Sequence, residues 1–257
     1  MKLGIIGAGH MGSALVKGFY NSNNINMQDI YIKSGNSDKA KNLSSEVGAT
    51  LVHHYDDLAH CDMILLVVNE AAVQEVLDNL SSVANDDTMI VSIVPSVSIA
   101  DMEHLFSKQQ PIVSLLPNVV VAINKGIIGY AHNQLPQNNT MIKEVFGCLG
   151  KLVEVKESEL DIFSTMSGCG PAIVDVFVEA LSDGAVLNGM DRNLSYEVIL
   201  EMIIGAAQLA QETGQHPGAL KDQVTSPGGS TIKATSALEK NNFRYALIDA
   251  INAVGRR

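Results

Sequence analysis

The chain has no tryptophan, and its few aromatic residues are scattered. No basic stripe interleaves with them, and the formal net charge is −11. This argues against a nucleic-acid partner, because neutralising phosphates takes clustered Lys and Arg. No run approaches the roughly 20 apolar residues that span a bilayer, so a membrane partner is not expected either. The three cysteines (Cys61, Cys148 and Cys169) cannot all pair, and none has metal-ligand spacing. No charged-then-apolar leader precedes the first strand. These absences lead to the expectation of a cytoplasmic protein without a bound metal.

What is present is a large apolar fraction. Of 257 residues, 46% are hydrophobic and 18% charged, enough to bury a substantial core in one large or two modest domains. Lys2–Ile6 reads as a short strand, then comes Gly7-Ala8-Gly9-His10-Met11-Gly12, then a helix through Ala14–Phe19. This is the G-x-G-x-x-G spacing between a strand and a helix. Gly7 makes the tight turn, Gly9 admits a pyrophosphate, and Gly12 lets helix and strand pack closely. The pattern predicts further strands over 29–33, 50–52, 63–68, 89–93, 111–115, 126–131 and 152–155. Helices are predicted between them at 38–47, 71–80, 99–105 and 141–149. Short apolar runs alternating with helices imply a Rossmann-like, doubly wound parallel sheet.

Cofactor choice is read after the second strand, where an NAD site usually places an acid for the ribose hydroxyls. Here the residues are Lys33-Ser34-Gly35-Asn36-Ser37, with Asp38 farther along. A cation with hydroxyl and amide donors suits a 2′-phosphate, so NADPH is expected, with NADH as the alternative. An ordinary solvated turn at Lys33 and Ser34 is the competing reading.

From residue 157 the strand–helix alternation stops, which divides the chain into a dinucleotide-binding domain, 1–156, and a helical domain, 157–257. A helix is expected over 161–166, a break at Ser167-Gly168-Cys169-Gly170-Pro171, and long helices over 172–187 and 195–212, with Asn188-Gly189 as a stop. These helices are apolar on more than one face, which suits packing against a second copy; a compact monomeric bundle is the alternative. Near the C-terminus, Ser226-Pro227-Gly228-Gly229-Ser230-Thr231 leads into a predicted helix over 231–238. Paired glycines ahead of a helix expose backbone N–H groups and make an anion cradle, or else a plain connecting turn.

Several segments together resemble the pyrroline-5-carboxylate reductase family. SGCGPAIVDVFVEAL, from Ser167, is similar to the family's SGSGPAY…EAL stretch, and ETGQHPGALKDQVTSPGGSTI, residues 212–232, matches its hallmark segment almost position for position. IIGAGHMGSALVKGF resembles the family's opening, and Leu116-Pro117-Asn118 its Met-Pro-Asn turn. The resemblance implies a helical domain forming a homodimer or a ring of dimers. It also implies hydride transfer from NAD(P)H to the C=N bond of 1-pyrroline-5-carboxylate, giving proline. In that reading Gly7, Ala8, Gly9, His10, Met11, Gly12, Lys33, Ser34, Val68 and Asn69 hold the cofactor. Asn118, Ser226, Gly228, Gly229, Ser230 and Thr231 meet the substrate, a cyclic imine carboxylate. Thr231 would hydrogen-bond the imine nitrogen or relay its proton; its alternative is a helix cap.

The chain departs from the family at five places. Asn69-Glu70 stands where a Lys-Pro is common, and Val94-Pro95-Ser96 where an Ala-Gly is. Ser114 replaces an arginine, Cys169 a serine, and Ile173 an aromatic residue. These departures keep open a paralogue that reduces another cyclic imine carboxylate, or a non-catalytic nucleotide-binding scaffold.

Overall fold

The computed structural model describes residues 1–35, 38–133 and 138–254. The chain separates into two compact units, 1–168 and 169–257.

In the first unit, β1 (Leu3–Ile6) leads through the glycine turn into α1 (His10–Ser22), followed by β2 (Ile30–Lys33), α2 (Asp38–Val47) and β3 (Thr50–Val52). The next elements are β4 (Met63–Leu66), α3 (Glu70–Ser81), β5 (Met89–Ser92), α4 (Ile99–Leu105) and β6 (Ile112–Leu116). The unit continues with β7 (Gly126–His132), α5 (Asn138–Phe146) and β8 (Gly150–Glu154). Among the described residues these strands form one sheet in the order β3-β2-β1-β4-β5-β6-β7-β8.

Burial explains why the central strands read as continuous apolar runs. On β4, Met63 and Leu65 join a core with Leu15 and Phe19 of α1 and Phe146 of α5. Ile64 and Leu66 join a second core with Val73 and Leu77 of α3 and Met102 of α4. A strand covered on both faces has no polar side to show. The sheet is doubly wound as expected, with one difference: β7 pairs antiparallel to β6, and β8 runs parallel to β7. The connection from Pro117 to Lys125 holds only a 3-10 turn, Val119–Ile123. That is too short for a crossover, so the chain turns back beside β6.

The expected break at Pro171 is absent. α6 runs unbroken from Leu160 to Leu187 with Pro171 inside it. Proline removes one helical N–H, which leaves the carbonyl four residues back without its donor. That carbonyl, on Ser167, accepts instead from the side-chain amide of Asn118 at 3.1 Å.

The second unit is helical. After α6 come α7 (Arg192–Thr213), α8 (Pro217–Gln223), α9 (Ser230–Lys240) and α10 (Phe243–Val254). Gly189, at φ +92°, ends α6 as expected. The side chain of Asp191 then caps α7 by accepting from the N–H groups of Asn193 and Leu194. The hydroxyls of Ser182 and Ser195, both fully buried, meet between α6 and α7. Few large apolar side chains of this unit are buried, and Val176 is 66% and Leu187 87% exposed. No helix among the described residues is long and apolar enough to cross a membrane.

Candidate active site

The glycines after β1 divide into two kinds. Gly7 sits at φ +111°, and a Cβ there would strike the Val67 carbonyl. A Cβ on Gly12 would strike the Gly7 carbonyl. Both are glycine because protein backbone fills the space. Gly9 differs: a Cβ there would meet nothing within 4 Å. The position lies open, as an approaching pyrophosphate requires. Gly9 is also the N-cap of α1, with no side-chain cap hydrogen bond and no acid in the first turn. The first N–H groups of α1 therefore keep their hydrogen bonds for an anion.

A cavity of about 550 Å³ adjoins this turn. Gly7, Ala8, Gly9, Lys33, Ser34, Val68 and Asn69 line it, so the structure gathers seven of the ten expected cofactor residues. His10, Met11 and Gly12 lie on the first turn of α1 instead. Asn36 and Ser37 lie outside the described residues. The backbone N–H of Gly7 donates to the Lys33 carbonyl at 2.8 Å, which ties the glycine turn to the end of β2. The Lys33 ammonium stands over the Tyr55 ring, 4.1 Å from its centroid. Burial, and then the nearby Glu75 carboxylate, push the Tyr55 hydroxyl above its ordinary pKa. Tyr55 and Glu75 also line the cavity, and sequence reasoning missed both. Tyr55 carries no motif signal, because it reaches Lys33 only through the pairing of β2 with β3.

Two of the departures from the family pattern, Asn69 and Ser114, have local structural partners. Asn69 caps α3, its side-chain oxygen accepting from the Ala72 N–H at 3.0 Å, and Glu70 adds an acid to the first turn. A capped helix start with an acid on it is stable and unsuited to a further anion. Ser114 is 4% exposed and sits opposite Ser92 in the register of β5 and β6. Pro95 lies between β5 and Ser98, which caps α4. Cys169 is partly exposed on α6, and nothing in the structure explains its exchange for serine.

Asn118, expected to meet the substrate, follows β6 in the first unit. It is 5% exposed, donates to Ser167, and accepts from the Ile127 N–H at 3.2 Å. Its side chain thus clamps two backbone groups inside the first unit.

In the second unit, the Gly229 N–H donates to the Ser226 carbonyl at 3.0 Å, with Pro227 and Gly228 (φ +71°) between them. Proline followed by a left-handed glycine is the pattern of a type II turn. Gly229 is the N-cap of α9, again with no side-chain cap hydrogen bond and no first-turn acid. Thr231 occupies the second helical position, so the capping alternative for it falls away. Side chains cap α3, α4, α7 and α8. Among the described α-helices with an assigned N-cap, α1 and α9 are the two that begin on a bare glycine.

Residues 157–257 match the family model for pyrroline-5-carboxylate reductase dimerisation, and residues 2–96 match that for NADP oxidoreductase, coenzyme F420-dependent. The chain is 33% identical over 253 residues to the pyrroline-5-carboxylate reductase of Escherichia coli (strain K12), covering 97% of this chain and 94% of that protein. It is 32% identical over 259 residues to that of Methanosarcina acetivorans, covering 100% and 96%. The crystal structure of Plasmodium falciparum pyrroline carboxylate reductase with NADP bound superposes with a TM-score of 0.88 at 32% identity, covering 99% of this chain and 95% of that one. On these matches across both halves, the chain belongs to the pyrroline-5-carboxylate reductase family.

Proposed function

We infer that the protein reduces 1-pyrroline-5-carboxylate to L-proline with NADPH, the last step of proline biosynthesis. The observation that carries this reading is the pair of helices starting on bare glycines, α1 beside the dinucleotide cavity and α9 behind the Ser226–Gly229 turn. The first suits a pyrophosphate and the second a carboxylate. Lys33 and Ser34 are assigned to the 2′-phosphate of NADPH.

When bound, the dinucleotide supplies the hydride. The chain's own residues position the acceptor. Backbone N–H groups at Ser230 and Thr231 receive the substrate carboxylate and fix the ring. The imine reacts protonated, since hydride addition needs an electrophilic carbon, and its N–H donates to the Thr231 hydroxyl. Hydride joins the carbon, the C=N electron pair passes to nitrogen, and the amine of proline results. A threonine hydroxyl is a weak acid, so its contribution is orientation.

The proposed assembly is a homodimer formed through the helical unit, whose exposed apolar residues on α6, α7 and α10 call for a cover. A cytoplasmic location is proposed from the three free cysteines. The test is loss of NADPH absorbance on adding 1-pyrroline-5-carboxylate, repeated with NADH and with the six-membered imine carboxylate. Turnover of about one per second or more is expected with NADPH and the five-membered ring. Faster turnover of the six-membered ring, or none with either cofactor in folded protein, overturns the reading.

A further inference from the structure

We propose that Tyr55 is a specificity-determining residue, which holds the Lys33 ammonium in place for the 2′-phosphate and so sets the preference for NADPH over NADH. The inference rests on the cofactor reading above and adds to it a residue that no motif marks.

Among the described lining residues of the cavity, Lys33 is the one cation and Glu75 the one carboxylate. A dianionic phosphate entering the cavity is attracted by the first and repelled by the second, so the position of the ammonium decides the balance. A lysine at a strand end ordinarily samples many rotamers, and fixing one costs part of the binding energy. Two contacts limit that freedom here. The Lys33 carbonyl accepts from Gly7, which fixes the backbone. The Tyr55 ring lies under the ammonium at 4.1 Å, within range of an attractive cation–π contact.

This contact does not compete with phosphate. An ammonium has three N–H donors, and a ring below it leaves the outward ones free. Tyr55 is itself held by the 3-10 turn Tyr55–Leu58, where the Asp57 carboxylate accepts from the His54 N–H at 3.0 Å. Leu58, at the end of that turn, is fully buried. The ring is thus anchored from β3 while the ammonium comes from β2.

Isothermal titration with 2′,5′-ADP and 5′-ADP, which differ only in the 2′-phosphate, reads the effect without catalysis. The wild type should prefer 2′,5′-ADP. Tyr55→Leu and Tyr55→Met, run in parallel so that a folding failure of one leaves the other, should lower that preference roughly two- to five-fold. Tyr55→Phe keeps the ring face and should retain it. Lys33→Met should lose the preference far more completely. If Lys33→Met keeps the preference, the assignment of Lys33 to the 2′-phosphate fails. If Lys33→Met loses it while both ring-less variants keep it, the role of Tyr55 alone fails. Equal weakening of both ligands by Tyr55→Leu and Tyr55→Met would make the ring an adenosine contact and overturn the proposal.

Discussion

The side-chain amide of Asn118 donates to the carbonyl of Ser167, the acceptor that Pro171 leaves without its helical partner. One residue on the loop after β6 thereby allows a proline inside a 28-residue helix. The same side chain accepts from Ile127 at the start of β7. Asn118→Ala leaves two backbone groups unsatisfied and should cost about 2–4 kcal/mol. In a Pro171→Ala background the Ser167 carbonyl regains a helical donor, so the same change should cost less. Urea unfolding of the four proteins of this cycle measures the coupling; strict additivity would mean that the two sites do not communicate.

Gly9 and Gly12 should part company on substitution. Gly9→Ala meets no protein atom and should leave the melting temperature unchanged, while Gly9→Val should weaken NADPH binding by more than about ten-fold. Gly12→Ala drives a Cβ into the Gly7 carbonyl and should destabilise the fold by roughly 1–3 kcal/mol. Fluorescence titration of the reduced nicotinamide and thermal unfolding separate the two effects.

Thr231→Ala should lower turnover about ten-fold, with NADPH affinity and stability unchanged, because the helix cap is Gly229. Thr231→Ser should restore most of the rate. A rate unchanged in Thr231→Ala would remove the hydroxyl from the reaction.

Burial, and then Asp62, push the Cys61 thiol up to about 12, against an opposing pull from Lys2. The folded protein holds this proton more tightly than the unfolded chain, where the ordinary value is 9.0. The stabilisation is therefore complete below pH ~9 and is lost progressively as pH rises toward ~12. Cys61→Ala should flatten the alkaline fall of the urea midpoint. In native protein near pH 8, a thiol reagent should spare Cys61 and react first at the partly exposed Cys148 or Cys169.

Val176 on α6 is 66% exposed in the single chain. Val176→Asp should weaken self-association about 30-fold or more, read by sedimentation across a dilution series. An unaltered profile would move the interface elsewhere on the helical unit.

The sequence carried the dinucleotide half in its local patterns. Gly7, Gly9 and Gly12 each sit in the backbone setting their spacing called for, and β3, α2 and α4 have the predicted bounds. The features it did not carry depend on distant partners. Pro171 read as a break because the donor that rescues its helix lies some fifty residues upstream. The reversal at β7 follows from the short connection after Pro117, a matter of loop length that apolar periodicity does not register. Tyr55 meets Lys33 only because β3 pairs with β2. The Ser226–Gly229 turn was legible because a run of Pro, Gly and Ser builds its own geometry within four residues.

The reversal at β7 also sets an order of assembly. Leu116 pairs with Gly129 thirteen residues later, whereas Leu3 of β1 must find Met63 sixty residues away. Closing the shorter loop loses less chain entropy, so the β6–β7 edge is the cheaper place for the sheet to nucleate. In pulse-labelled refolding its amides should be protected first, with the Gly7 amide gaining protection only once β1 has joined β2 as well as β4. The protein thus becomes able to take up a nucleotide late in its folding, when the rest of the sheet is already in place.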